Sequence, residues 1–98
     1  MGNVLLGLGI AIVVVACAPT LQQQRKAGLA AATTDMERGA VYYRTSCNRC
    51  HALYMPRSFG RTEWPGLVSR YGSRARLTKD QRELVIDYLV ANAYDADR

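Results

Sequence analysis

The stretch Ser46-Cys47-Asn48-Arg49-Cys50-His51 constrains this chain more than any other, because it contains the pattern Cys-x-x-Cys-His, which marks attachment of a c-type haem. Two thiols three positions apart at the end of a helix reach the two vinyl groups on one edge of the macrocycle and form thioethers. The adjacent His51 swings beneath the ring and gives an imidazole nitrogen to iron. Other uses of the motif fit less well. A thioredoxin-like dithiol wants a βαβ context, and no strand-helix-strand pattern surrounds this one. A structural zinc site takes four ligands, whereas the chain offers only Cys47, Cys50, His51 and the distant Cys17. The expected cofactor is one covalent haem c.

Size agrees with that need. The chain has 98 residues, of which the 65 from 34 to 98 are read as the haem domain. A domain of this length buries only about 60% of the surface its unfolded chain exposes and is marginal without help. A covalent haem supplies the missing core, and its binding energy becomes folding energy.

Residues 4–16 form an apolar run broken only by Gly7 and Gly9. It is shorter than the roughly 20 residues that a membrane-spanning helix needs, and it has the length of a signal-peptide hydrophobic region. Val14-Val15-Ala16-Cys17-Ala18 follows, and it resembles a bacterial lipobox, in which the cysteine is lipidated and becomes the new N-terminus. Lipidation at Cys17 would account for the third cysteine. An uncleaved anchor is the second option, although Arg25 and Lys26 follow the apolar run instead of preceding it. Simple cleavage of an ordinary signal is the third. All three imply export, to the periplasmic side of a bacterial membrane or the cell surface. Residues 1–17 are thus read as signal peptide or anchor. Residues 18–33, rich in Ala, Gln and Thr, read as a flexible tether spanning on the order of 20 Å. A short helix through Gln22–Ala32 is the alternative, because Ala and Gln are good helix formers.

The remaining periodicity is helical throughout, so the fold class is all-α. Thr34 and Glu37 make a capping box, and Met36, Ala40, Tyr43 and Cys47 form a stripe at i, i+4, i+7 and i+11 that carries the first haem cysteine to the helix end. Met36 is read as helix packing. Gly39 on an adjoining face lets another helix approach closely, or is a tolerated glycine costing about 1 kcal/mol. After a turn-bearing loop through Met55 and Pro56, Thr62 caps a short helix with Pro65 in its first turn. That helix carries Trp64, Leu67, Val68 and Tyr71, and Gly72 ends it. Thr78 and Gln81 make a second capping box, and Leu84, Val85, Tyr88 and Leu89 give the buried face of a last helix running to about Asn92.

Charge is uneven. From Arg38 to Arg82 there are ten Arg or Lys against two acids, Glu63 and Asp80, whereas residues 83–98 carry four acids against one base. The basic middle is either a solvated face partly neutralised by haem propionates or a surface that steers an acidic redox partner. No nucleic-acid-binding motif accompanies the charge, so no nucleic-acid partner is expected.

Taken together, Gly39-x-x-x-Tyr43-x-x-x-Cys47-x-x-Cys50-His51 and Asp87-Tyr88-Leu89 resemble the class I cytochrome c family over roughly residues 34–92. A narrower likeness to small bacterial cytochromes lies in His51-x-Leu53-x-x-Pro56, Trp64-Pro65-Gly66-Leu67-Val68-Ser69-Arg70-Tyr71 and Leu77-Thr78. The resemblance implies three to four helices around one haem, with the first and last helices crossing near the glycine. It implies that the Pro56 carbonyl accepts from the second ring nitrogen of His51. Arg57, Arg61 and the Trp64 indole are candidates for the propionates. Tyr71 stands where similar proteins place a methionine as sixth iron ligand. Three states are therefore open: Tyr71 ligates through oxygen, Met55 or another protein donates the ligand, or the position is vacant or water-filled with Tyr71 packed on the haem. The expected function is a membrane-tethered electron carrier, not an enzyme, passing single electrons between protein partners and possible as a subunit of a respiratory or photosynthetic complex. The alternative is a haem sensor or peroxidase-like protein using an open iron position.

Overall fold

The computed structural model of the chain describes residues 18–47 and 53–97. The expected signal or anchor with Cys17 lies outside these residues, as do Cys50 and His51. The described residues are all-helical, with four α-helices and no strand: α1 (Leu21–Ala31), α2 (Asp35–Ser46), α3 (Trp64–Tyr71) and α4 (Lys79–Ala91). A 3-10 turn, Pro56–Ser58, interrupts the loop before α3. This architecture is compatible with a small cytochrome c-like helical fold.

In residues 18–33, first read as a flexible tether, α1 matches the alternative of a short helix, over Leu21–Ala31 instead of Gln22–Ala32. Thr20 caps it in a full box, its hydroxyl accepting from the Gln23 N–H while the Gln23 side chain accepts from the Thr20 N–H. No residue of α1 is buried, so its composition reads as a polar tether. It nevertheless lies against α2, where Gly28 leaves room for the Val41 side chain: a Cβ there would come within 2.9 Å of it.

Local signals explain the other helix ends, with two shifts. Thr34 caps α2 by accepting from the Glu37 N–H. The Glu37 carboxylate, however, reaches past it to the N–H and hydroxyl of Thr33. These hydrogen bonds hold its pKa below the usual carboxylate range, so the box expected at Thr34 is split over two threonines. At α3, Glu63 and not Thr62 is the cap residue, and its side chain accepts from the Gly60 N–H to close the preceding turn. Thr78 and Gln81 form the expected box before α4.

The core sits where α2, α3 and α4 meet: Tyr43, Trp64, Val68, Leu77, Val85, Leu89 and Ala93. Gly39 sets the crossing of α2 and α4, since a Cβ there would run into the Leu84 carbonyl and lie 3.0 Å from Tyr88 Cβ. Met36, expected to pack, is instead 41% exposed, because α2 turns Gly39, Val41, Tyr43, Thr45 and Ser46 inward. Among the described residues no helix is long and apolar enough to cross a membrane.

Candidate cofactor cleft

The C-terminal turn of α2 delivers Cys47 to the edge of a cleft. Cys47 follows α2 with helical backbone angles, and its N–H still bonds to the Tyr43 carbonyl, so the helix geometry fixes where the side chain starts. The cleft has a volume of about 380 Å³ and is walled by three further stretches. The loop contributes Leu53, Tyr54 and Phe59; α3 contributes Trp64, Leu67, Val68 and Tyr71; and the turn after α3 contributes Gly72, Arg74 and Ala75. Both Cys47 and Leu53 line it, so the chain enters and leaves residues 48–52 at the cleft wall.

Aromatic packing shapes this wall. Trp64 meets Phe59 edge-on at 5.1 Å and Tyr43 edge-on at 6.0 Å, and Tyr54 meets Phe59 at 5.4 Å. Edge-to-face pairs of this kind contribute stability beyond their buried area and fix ring orientation. The Tyr43 hydroxyl donates to the Tyr54 carbonyl at 2.5 Å, pinning the loop to α2. At the far end of the loop, Tyr94 donates its N–H to the Phe59 carbonyl and Asp95 accepts from the Arg61 N–H at 2.8 Å.

The cleft fits a haem in size and chemistry. Small-molecule and cofactor sites occupy roughly 300–1,000 Å³, with mostly apolar walls and a few placed polar groups. Here the walls are aromatic and aliphatic, a cysteine stands at the edge, and one guanidinium lies on the lining. Cys50 and His51 lie outside the described residues, so their part in holding the group rests on the motif.

The other expected contacts are redistributed. Trp64 does line the cleft, but its indole N–H donates to the Pro56 carbonyl at 2.8 Å, and its ring is in the core. It is therefore a wall and a brace for the turn instead of the expected propionate donor. Pro56 does not line the cleft; its carbonyl accepts from the Trp64 indole, and the bond expected from His51 lies outside the described residues. Arg57 and Arg61 are exposed and are not on the lining, and Arg61 is paired with Asp95 at 3.8 Å. Arg74 is the arginine on the lining, with its guanidinium 5.9 Å from the centre of the Tyr71 ring. Its sequence signal was only its spacing, three residues after Tyr71 but beyond the expected helix end.

Tyr71 lines the cleft and is 46% exposed. Met55 is 67% exposed and absent from the lining, because the loop turns it outward just before the 3-10 turn. Among the described lining residues, none besides Cys47 carries sulfur and none carries an imidazole.

The family model for dihaem cytochrome c matches residues 43–98, from Tyr43 through the cysteine motif to the C-terminus. That description names two haems, whereas the sequence holds one Cys-x-x-Cys-His motif. No curated protein and no solved structure matches the chain.

Proposed function

The chain belongs to the dihaem cytochrome c family, and on that premise we propose that it is an exported, membrane-tethered electron carrier that relays single electrons between protein partners. The observation that carries this reading is the aromatic cleft with Cys47 on its edge. Such a site holds a flat apolar ring, and a bound haem supplies a one-electron couple. Cys47 and Cys50 would hold the ring by thioethers and His51 would ligate the iron. Tyr43, Phe59, Trp64 and Val68 exclude water from its face, which sets the local dielectric and hence the potential. The sequence supplies one pair of thiols in attachment spacing, so this motif would hold one haem, whereas the family's description names two.

Partner choice rests on charge. Arg44, Arg57, Arg61, Arg70, Arg74, Arg76 and Lys79 are all exposed, so an acidic redox protein is the partner that this charge would steer, with a rate that falls as salt rises. Export and tethering through Cys17 or an uncleaved anchor rest on the sequence of residues 1–17, and they match the need for haem attachment outside the cytoplasm.

A second reading has an observation of its own. With Met55 turned out and neither methionine nor histidine among the described cleft residues, we infer a sixth iron position left to water or a small ligand. A haem sensor or peroxidase-like protein would use that position.

The test is expression of the full chain with haem-maturation machinery, followed by haem staining on a denaturing gel and a redox titration. The expected result is a coloured protein with covalent haem, lost in Cys47→Ala and Cys50→Ala, and a reversible one-electron wave. A colourless exported product refutes haem attachment. Steady turnover of peroxide would replace the carrier with the enzyme.

A further inference from the structure

We propose that Arg25 of α1 is a positioning residue for the haem, anchoring the attachment end of α2 and holding a fixed positive charge there that raises the reduction potential. This rests on the reading that haem is bound at Cys47. Arg25 lies outside the matched residues 43–98, so the device belongs to the part of the chain that the sequence presents as a tether.

The geometry is specific. Arg25 Nε donates to Thr45 Oγ1 at 3.1 Å, and its Nη2 donates to Ser46 Oγ. Both acceptors are buried, Ser46 being only 1% exposed, and Ser46 is itself on the cleft lining beside Cys47. The Thr45 hydroxyl donates to the Val41 carbonyl at 2.7 Å, so its donor and an acceptor position are both used. The guanidinium also lies 5.4 Å from the centre of the Tyr42 ring. One side chain thus contacts Tyr42, Thr45 and Ser46 of α2, the last of them one position before the first haem cysteine.

Its charge is not cancelled locally. The partners are two hydroxyls and a ring, and the ion pairs among the described residues join Arg38 to Asp35 and Arg61 to Asp95. A part-buried charge is screened less than an exposed one. Reduction removes one positive charge from the haem, so a neighbouring cation favours the ferrous state and raises the potential. Removing Arg25 must lower it.

Neighbouring Lys26 gives the control, since it is exposed on the same helix and its neutralisation changes the net charge equally. Holoprotein potentials are to be measured in the full chain for Arg25→Gln, Arg25→Lys, Lys26→Gln and Ser46→Ala. Arg25→Gln is expected to reduce the equilibrium constant for reduction roughly three- to tenfold, and a tenfold change in a one-electron couple is 59 mV. Arg25→Lys should keep most of the potential. Ser46→Ala, which keeps the charge but loses an anchor at the lining, should lower it by a smaller step and serves as the test if Arg25→Gln does not fold. An unchanged potential in Ser46→Ala and Arg25→Gln, or an equal fall in Lys26→Gln, overturns the proposal. Absence of covalent haem in the unsubstituted chain overturns the underlying reading instead.

Discussion

The Tyr43 hydroxyl donates to the Tyr54 carbonyl at 2.5 Å, joining the helix before the cysteine motif to the loop after it. Tyr43→Phe removes the donor with little change of shape, so the expected loss at neutral pH is about 0.5–1.5 kcal/mol. Burial pushes the Tyr43 hydroxyl well above the usual tyrosine range, with Tyr88 adding to the push. A tyrosine raised in the folded state favours folding below its unfolded pKa of about 10 and loses that contribution as pH climbs toward the folded value. Urea midpoints should therefore fall above about pH 10, and fall less in Tyr43→Phe. Parallel pH profiles for the two proteins would remove Tyr43 from the account.

Gly39 and Gly66 offer a matched pair. Both lie within helices, and replacing an interior glycine by alanine favours a helix by about 1 kcal/mol. At Gly66 a Cβ meets nothing within 4 Å, so Gly66→Ala should gain about that amount. At Gly39 the new Cβ meets the Leu84 carbonyl, which no rotamer change can move. Overpacking costs roughly 1–3 kcal/mol or more, so Gly39→Ala should be net destabilising. Denaturation midpoints of opposite shift are expected; a stabilised Gly39→Ala would mean that α2 and α4 do not cross there.

How much could be read in advance divides along physical lines. Motifs that act within one turn were legible, Thr78 with Gln81 and the stop at Gly72, and so was the helical periodicity; the crossing at Gly39 came with the family resemblance. Side chains whose partners are distant in sequence were not. Arg25 looks like one charge in a polar tether until α1 is laid on α2, and Arg74 is one of many arginines until the turn after α3 carries it to the cleft. The Glu37 box and the Thr62 cap each shifted by a residue, because a flexible carboxylate chooses among neighbouring N–H groups. The Trp64 indole was counted among the propionate candidates because Pro56, eight residues earlier, gave no sign that its carbonyl would accept the indole N–H.

That indole bond yields the third prediction. Trp64→Phe deletes the donor to Pro56 and leaves a small void in the core, together costing about 1–3 kcal/mol. The 3-10 turn it braces follows the cysteine motif closely, so the haem absorption bands of the holoprotein should also broaden. Thermal unfolding and the visible spectrum check the two effects. A normal spectrum with normal stability would mean that the turn is held without the indole.

The sixth iron position supplies the last test, through Met55 and Tyr71. Met55 is turned to solvent, and bringing its sulfur to iron would require the loop to leave the wall that Tyr54 and Phe59 build. Met55→Leu should therefore leave the spectrum and potential unchanged. Tyr71 is on the wall, with the Arg74 guanidinium over its ring, an arrangement in which it would pack beside the haem instead of binding iron. Tyr71→Phe should then preserve the ferric spectrum, and the reduced protein should bind carbon monoxide in both forms. Loss of a sulfur-to-iron band in Met55→Leu would place the thioether on iron. A rise in potential with a changed ferric spectrum in Tyr71→Phe would assign a phenolate ligand, because an anionic oxygen stabilises ferric iron and its removal favours reduction.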